Sequence, residues 1–214
     1  MKYNFDYEIN ESGMLILKGL VFRNRYVEVP REERFRKLYS YILIDIDLSY
    51  ALEFLVRCIN MRDDIDRICY FQMAVIKYSK CYSPSKKDGR SQLSATKVYK
   101  GIEEDPIGCH NKFIEMRNKY FAHDESDFKA SKLGAILNID ERKMMGIAYP
   151  QMQAKFDYFE TIAILMKLCE ITKNWIGEEL DKEIECVRKY VEQRGFDILN
   201  NYKDLTISKS WGLD

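Results

Sequence analysis

Hydrophobic residues recur at every second position at the start of the chain and at every third or fourth position afterwards. Tyr3, Phe5, Tyr7 and Ile9 alternate with polar residues, Glu11-Ser12-Gly13 marks a turn, and Met14 to Val29 resumes in β-branched and aromatic residues. Residues 1–30 are therefore expected to form a β-hairpin or meander packed on the main domain. Pro30 followed by Arg31-Glu32-Glu33 opens a helical pattern that can run to Asn60, with Leu38, Ile42, Asp45 and Leu52 on a drifting stripe. Asp63 and Asp64 suit the start of a second helix, carrying Ile65, Ile68, Cys69, Val75 and Ile76 and ending near Tyr82.

From Ser83 to Ile102 the helical period lapses, a stretch too long for an idle connection in a compact domain and read here as a functional or mobile loop. A third helix is expected from Glu104 to His123, with Pro106 in its first turn and Cys109, Phe113, Met116 and Tyr120 as its apolar stripe. Leu133–Ile139 and Met144–Tyr149 flank a charged turn and predict a second hairpin. A long helix opens at Pro150 with Phe156, Phe159, Ala163, Met166 and Cys169 on one side, widened by Tyr158, Ile162 and Leu165. Gly177 is expected to interrupt it before an amphipathic continuation, Glu178–Arg194, that stops at Gly195. The fold class is mainly α. A helical bundle over 31–195 carries short hairpins at the N-terminus and after the third helix, and 196–214 form a C-terminal tail.

Charge narrows the partners. Lys plus Arg and Asp plus Glu both number 34, so the net charge is zero and a general polyanion binder is excluded. Any nucleic-acid contact must be local, and the one strong bias lies between Lys77 and Lys100, where seven basic residues face a single acid, Asp88. Lys86, Lys87 and Arg90 could hold phosphates there, and Tyr78, Tyr82 and Tyr99 among the lysines could stack on unpaired bases. The six cysteines are scattered with no C-x-x-C pair, which reads as reduced and mostly buried thiols. The most hydrophobic stretch, Tyr41–Val56, is broken by Asp45, Asp47 and Glu53, so no membrane span and a cytoplasmic location are expected.

Only two histidines, His110 and His123, are available for acid–base work. Arg117, Tyr120 and His123 follow i, i+3, i+6 at the end of the third helix, and a tighter last turn would bring them toward one line. RNA supplies its own nucleophile, the 2′-hydroxyl, so its cleavage needs a base, an acid and a cation for the developing charge. His and Arg supply all three if two chains meet at a two-fold axis, which favours a dimeric, metal-independent site. No metal set is spaced for zinc, no Gly-rich phosphate loop or nucleophile elbow occurs, and no cofactor is expected.

Arg117-Asn118-x4-His123, within RNKYFAHDE and followed by a hairpin and a long helix, resembles the signature of the HEPN superfamily. It is most similar to HEPN proteins of bacterial abortive-infection and toxin–antitoxin systems. The resemblance implies an all-α bundle and a homodimeric endoribonuclease acting as a toxin or antiphage effector on single-stranded RNA or tRNA. An antitoxin or defence-system partner would go with it. Arg117 and His123 from both chains would be catalytic, with Asn118 at the supporting polar position. Glu125 stands where HEPN toxins paired with nucleotidyltransferases carry Tyr, so the resemblance does not extend to control by nucleotidylation.

Around this motif, Lys119, Tyr120 and His110 are candidate substrate contacts, His110 lying nearly on the Arg117 face seven residues earlier; otherwise it reads as a partly exposed surface histidine. Asp45 and Asp47, 200° apart on their helix, are candidate supporting acids, of which at most one should face the site. His123 could equally be a packed or helix-terminal histidine. The alternative function is a non-catalytic helical module that binds a protein partner, a nucleotide or RNA.

Overall fold

The computed structural model describes residues 7–9, 15–17, 26–29, 32–83, 91–121, 134–148 and 158–205. The fold is mainly helical. A hairpin of β1 (Tyr7–Ile9) and β2 (Leu15–Leu17) precedes α1 (Arg36–Asn60), α2 (Asp64–Cys81), α3 (Ala95–Val98) and α4 (Pro106–Met116). A second hairpin pairs β3 (Gly134–Asn138) with β4 (Lys143–Ala148), and α5 (Tyr158–Glu192) and α6 (Phe196–Asn200) follow. None of the described helices is long and apolar enough to cross a membrane.

Two compact units divide the chain, one of Met1–Arg36 with Lys182–Asp214 and one of Lys37–Asp181. In the first, the two ends of the chain pair directly. Val27 bridges Asp204 antiparallel, and the Glu28 amide donates to the Lys203 carbonyl at 2.7 Å. Glu32 accepts from the Tyr190 hydroxyl at 2.6 Å and pairs with Arg34, while the Arg34 and Arg194 guanidinium carbons lie 4.3 and 4.7 Å from the Tyr190 ring centre.

The second unit holds the main core. On α1, Tyr41, Ile44, Leu48, Ala51, Leu55 and Cys58 repeat at spacings of three and four and are buried. The expected stripe runs beside this one: Leu38, Asp45 and Leu52 are half-buried and Ile42 is exposed. On α2 the core residues are Phe71, Ala74, Val75, Tyr78 and Cys81, whereas Ile65 and Cys69, expected inside, face out near its start. Asp63 caps that helix by accepting from the Ile65 and Asp66 amides at 2.9 and 3.0 Å, as its sequence predicts. Asp105 likewise caps α4 through the Gly108 amide at 2.8 Å, with Pro106 in the first turn.

Four expectations need correction. The Ser83–Ile102 stretch is not wholly loop. Within its described part, Leu93, Val98 and Tyr99 are buried around α3, and the Leu93 amide donates to the Cys81 carbonyl at 3.0 Å. Helix α5 is not interrupted at Gly177, because Thr172 and Ile176 are buried before that point and Leu180 packs against the same core after it, which offsets the roughly 1 kcal/mol propensity cost. Its buried line is Ile162, Leu165, Leu168, Cys169, Thr172 and Ile176, so Ile162 and Leu165, expected only to widen the stripe, join Cys169 of the expected line, while Phe159 is 70 % exposed. All six cysteines are free thiols, but only Cys58, Cys81 and Cys169 are buried, fewer than expected.

Candidate functional site

Helix α4 leads into the motif, and its orientation is set by His110. This imidazole is 6 % exposed and sits among three tyrosines from other parts of the unit. Its Nδ1 lies 2.8 Å from the Tyr78 hydroxyl, and the Tyr78 oxygen lies 2.7 Å from that of Tyr99. Tyr82 contacts Tyr99 at 2.9 Å and Thr172 Oγ1 at 2.8 Å, and Thr172 donates to the Leu168 carbonyl at 2.7 Å. The Tyr82 ring centre is 4.3 Å from that of His110, edge on. The network ties α2, the segment after α3, α4 and α5 together through buried polar groups that satisfy one another.

Proton bookkeeping orients the chain of hydroxyls. Burial holds the His110 imidazole neutral, with its pKa lowered to about 4. Placing the ring proton on Nε2 makes Nδ1 an acceptor for Tyr78. The Tyr78 oxygen then accepts from Tyr99, and Tyr82 donates to Thr172. Burial pushes all three phenols above their ordinary pKa, so they stay protonated donors. A neutral, enclosed His110 is a structural anchor. Both readings of His110, a substrate contact and a partly exposed surface histidine, are corrected by its burial, and so is that of Tyr78, Tyr82 and Tyr99 as base-stacking residues: Tyr78 and Tyr99 are buried and Tyr82 is half-buried. The available signal was phase, since Tyr78 and Tyr82 continue the Phe71–Val75 line of α2.

At the far end of α4 the helix loosens. Residues Arg117–Phe121 form a π turn, which is wider than an α turn. The turn is therefore not the tighter one that would draw the motif toward one line. Arg117 is half-buried and donates from Nη1 to Asn118 Oδ1 at 2.8 Å, so the carboxamide orients the guanidinium directly. Lys119 is exposed and pairs with Glu115 at 2.5 Å. His123, the Tyr120 side chain, Lys86, Lys87 and Arg90 lie outside the described residues.

The two aspartates are occupied by lysines. Asp47 is buried and accepts from Lys77 at 2.9 Å, with Lys80 at 3.5 Å, which joins α1 to α2. Asp45 is half-exposed and meets Lys173 of α5 at 2.6 Å. These pairs act as struts between helices, and Lys77 is drawn from the basic stretch into one of them. Lys97 and Lys100 remain exposed. Among the described residues no group of three or more His, Cys, Asp or Glu side chains converges to hold a metal.

Against known proteins, no family model matches the chain, and no curated protein or solved structure is similar to it.

Proposed function

We propose that the chain is a metal-independent endoribonuclease of HEPN type, acting as a homodimer on single-stranded RNA or tRNA in the manner of a toxin or antiphage effector. The observation that supports it is the Arg117–Asn118 hydrogen bond at the π turn, which holds a guanidinium by a neighbouring amide a few residues before His123. A wide turn of this kind is frequent at functional sites because it frees backbone from the α-helical register. In the proposed reaction, His123 of one copy takes the proton of the RNA 2′-hydroxyl, and that oxygen bonds to phosphorus. The bond from phosphorus to the 5′-oxygen breaks, and the partner's His123 returns a proton to the leaving oxygen. Arg117 neutralises the charge that builds on the non-bridging oxygens. The strand ends in a 2′,3′-cyclic phosphate.

The test incubates purified protein in EDTA with single-stranded RNA and tRNA. Cyclic-phosphate ends are expected, falling about 10²–10⁴-fold with His123→Ala and about 10²–10³-fold with Arg117→Ala. Melting temperatures of both variants should match the parent. Cleavage that strictly requires added divalent metal, or that survives His123→Ala, would refute the mechanism.

A second reading, a non-catalytic module for a protein partner, is favoured by the β3–β4 hairpin. Ile136, Leu137, Ile139, Met144, Met145 and Ile147 are all exposed there, an apolar density that free surfaces of monomers rarely carry. Intact RNA beside an unaltered fold, with partner binding weakened by Arg117→Ala, would favour it.

A further inference from the structure

Helix α1 has two apolar seams on opposite sides. The inner one, Tyr41, Ile44, Leu48, Ala51, Leu55 and Cys58, fills the core. An outer one repeats the same alternation of three and four residues: Arg36, Tyr39, Leu43, Ile46, Tyr50 and Glu53. It is displaced by about 200° from the inner seam. Leu43, Ile46 and Tyr50 are 47 %, 45 % and 47 % exposed, with Ile42 and Val56 exposed beside them. Two opposed apolar faces on one helix call for cover on both, and Leu43, Ile46 and Tyr50 each keep nearly half of their surface exposed although Lys77 lies over the Tyr50 ring.

The outer seam is palindromic in its spacing and complementary in its charge. Read from either end it runs charged residue, tyrosine, aliphatic, aliphatic, tyrosine, charged residue, with Arg36 at one end and Glu53 at the other. In an antiparallel pair of such helices crossing between Leu43 and Ile46, Leu43 meets Ile46 of the other copy and Tyr39 meets Tyr50. Arg36 then meets Glu53 twice over. A parallel pair would set Arg36 on Arg36 and Glu53 on Glu53, so charge selects the antiparallel arrangement. The three-and-four spacing is that of helices packing near +20° with knobs in holes.

We infer that the outer seam of α1 is a two-fold interface with a second copy of this chain. The symmetry is isologous, so the assembly closes at two. The seam extends over about 26 Å of helix at 1.5 Å per residue. One helix pair covers less than the roughly 800 Å² per partner of a standard interface, which makes the dimer concentration-dependent. This inference stands without the ribonuclease reading, because it rests on α1 alone.

Charge exchange tests it without disturbing the core, since the Arg36 and Glu53 side chains are each about half exposed, at 51 % and 49 %. Sedimentation of the full chain should show a dimer whose dissociation constant rises about tenfold with Arg36→Glu and with Glu53→Arg, each placing like charges at both ends of the seam. The double exchange should restore the parent value. The double exchange restores neither the Arg36–Glu33 nor the Arg57–Glu53 pair, because it sets a glutamate beside Glu33 and an arginine beside Arg57. Ile46→Lys should give a folded monomer. A parent protein that stays monomeric at high concentration, or a dimer indifferent to all of these changes, would overturn the interface. RNA cleavage measured on the same samples reports separately on the proposed reaction.

Discussion

His110 carries the clearest consequence at the scale of a residue. In the unfolded chain it titrates near its ordinary value of 6.5, and in the folded chain near 4, because enclosure by Tyr78, Tyr82 and Tyr99 penalises the cation. Between those values the unfolded chain binds more protons, so stability rises with pH across that window. The contribution is complete above about pH 6.5 and lost as pH falls through about 4, and it amounts to about 3 kcal/mol. Melting curves of the parent and His110→Gln from pH 7 to 4 measure it: the variant should start lower and lose that part of the slope. Equal slopes would mean that His110 takes up its proton in the folded chain without resistance. The sequence shows two histidines and nothing of this, since the groups that enclose His110 lie 11 to 32 positions away, from Tyr99 to Tyr78.

Elements were legible wherever their signals were local. Asp63 marks a helix start because a capping carboxylate bonds amides two or three residues on, a relation contained within the segment. Breaks and faces were less legible. Gly177 looks like a stop, yet α5 continues through it, and a Cβ added there would meet nothing within 4 Å. Gly177→Ala should therefore raise stability by about 0.5–1 kcal/mol and the melting temperature by about 1–4 °C. An unchanged or lower melting temperature would show that the local conformation favours glycine after all. On α1 the expected stripe ran beside the buried one because both sides of the helix are apolar, so periodicity alone has two solutions there.

For the whole molecule, a two-fold contact along α1 links stability to concentration. Dimerisation favours the folded chain by mass action, so the melting temperature should climb by about 2 °C for each tenfold rise in protein concentration. The slope should disappear in Ile46→Lys. A parent melting temperature that is flat over two decades of concentration would argue for a monomer. The candidate site was legible in part: R-N-x4-H named Arg117 and Asn118, and these two side chains are hydrogen-bonded. The geometry of the turn was not, because a π turn replaces a regular one through backbone hydrogen bonding that side-chain spacing does not encode.

The sequence by itself determined that this chain is mainly helical, where its two hairpins lie, and which residue caps α2, because period, turn chemistry and capping act over a few residues. Only the tertiary structure decided which face of each helix is inside. It also turned the tyrosines of the basic stretch into an anchor for α4 and the aspartates of α1 into struts for lysines. Burial and pairing depend on neighbours brought from far along the chain, as when Tyr78 meets Tyr99 and His110 at separations of 21 and 32 residues.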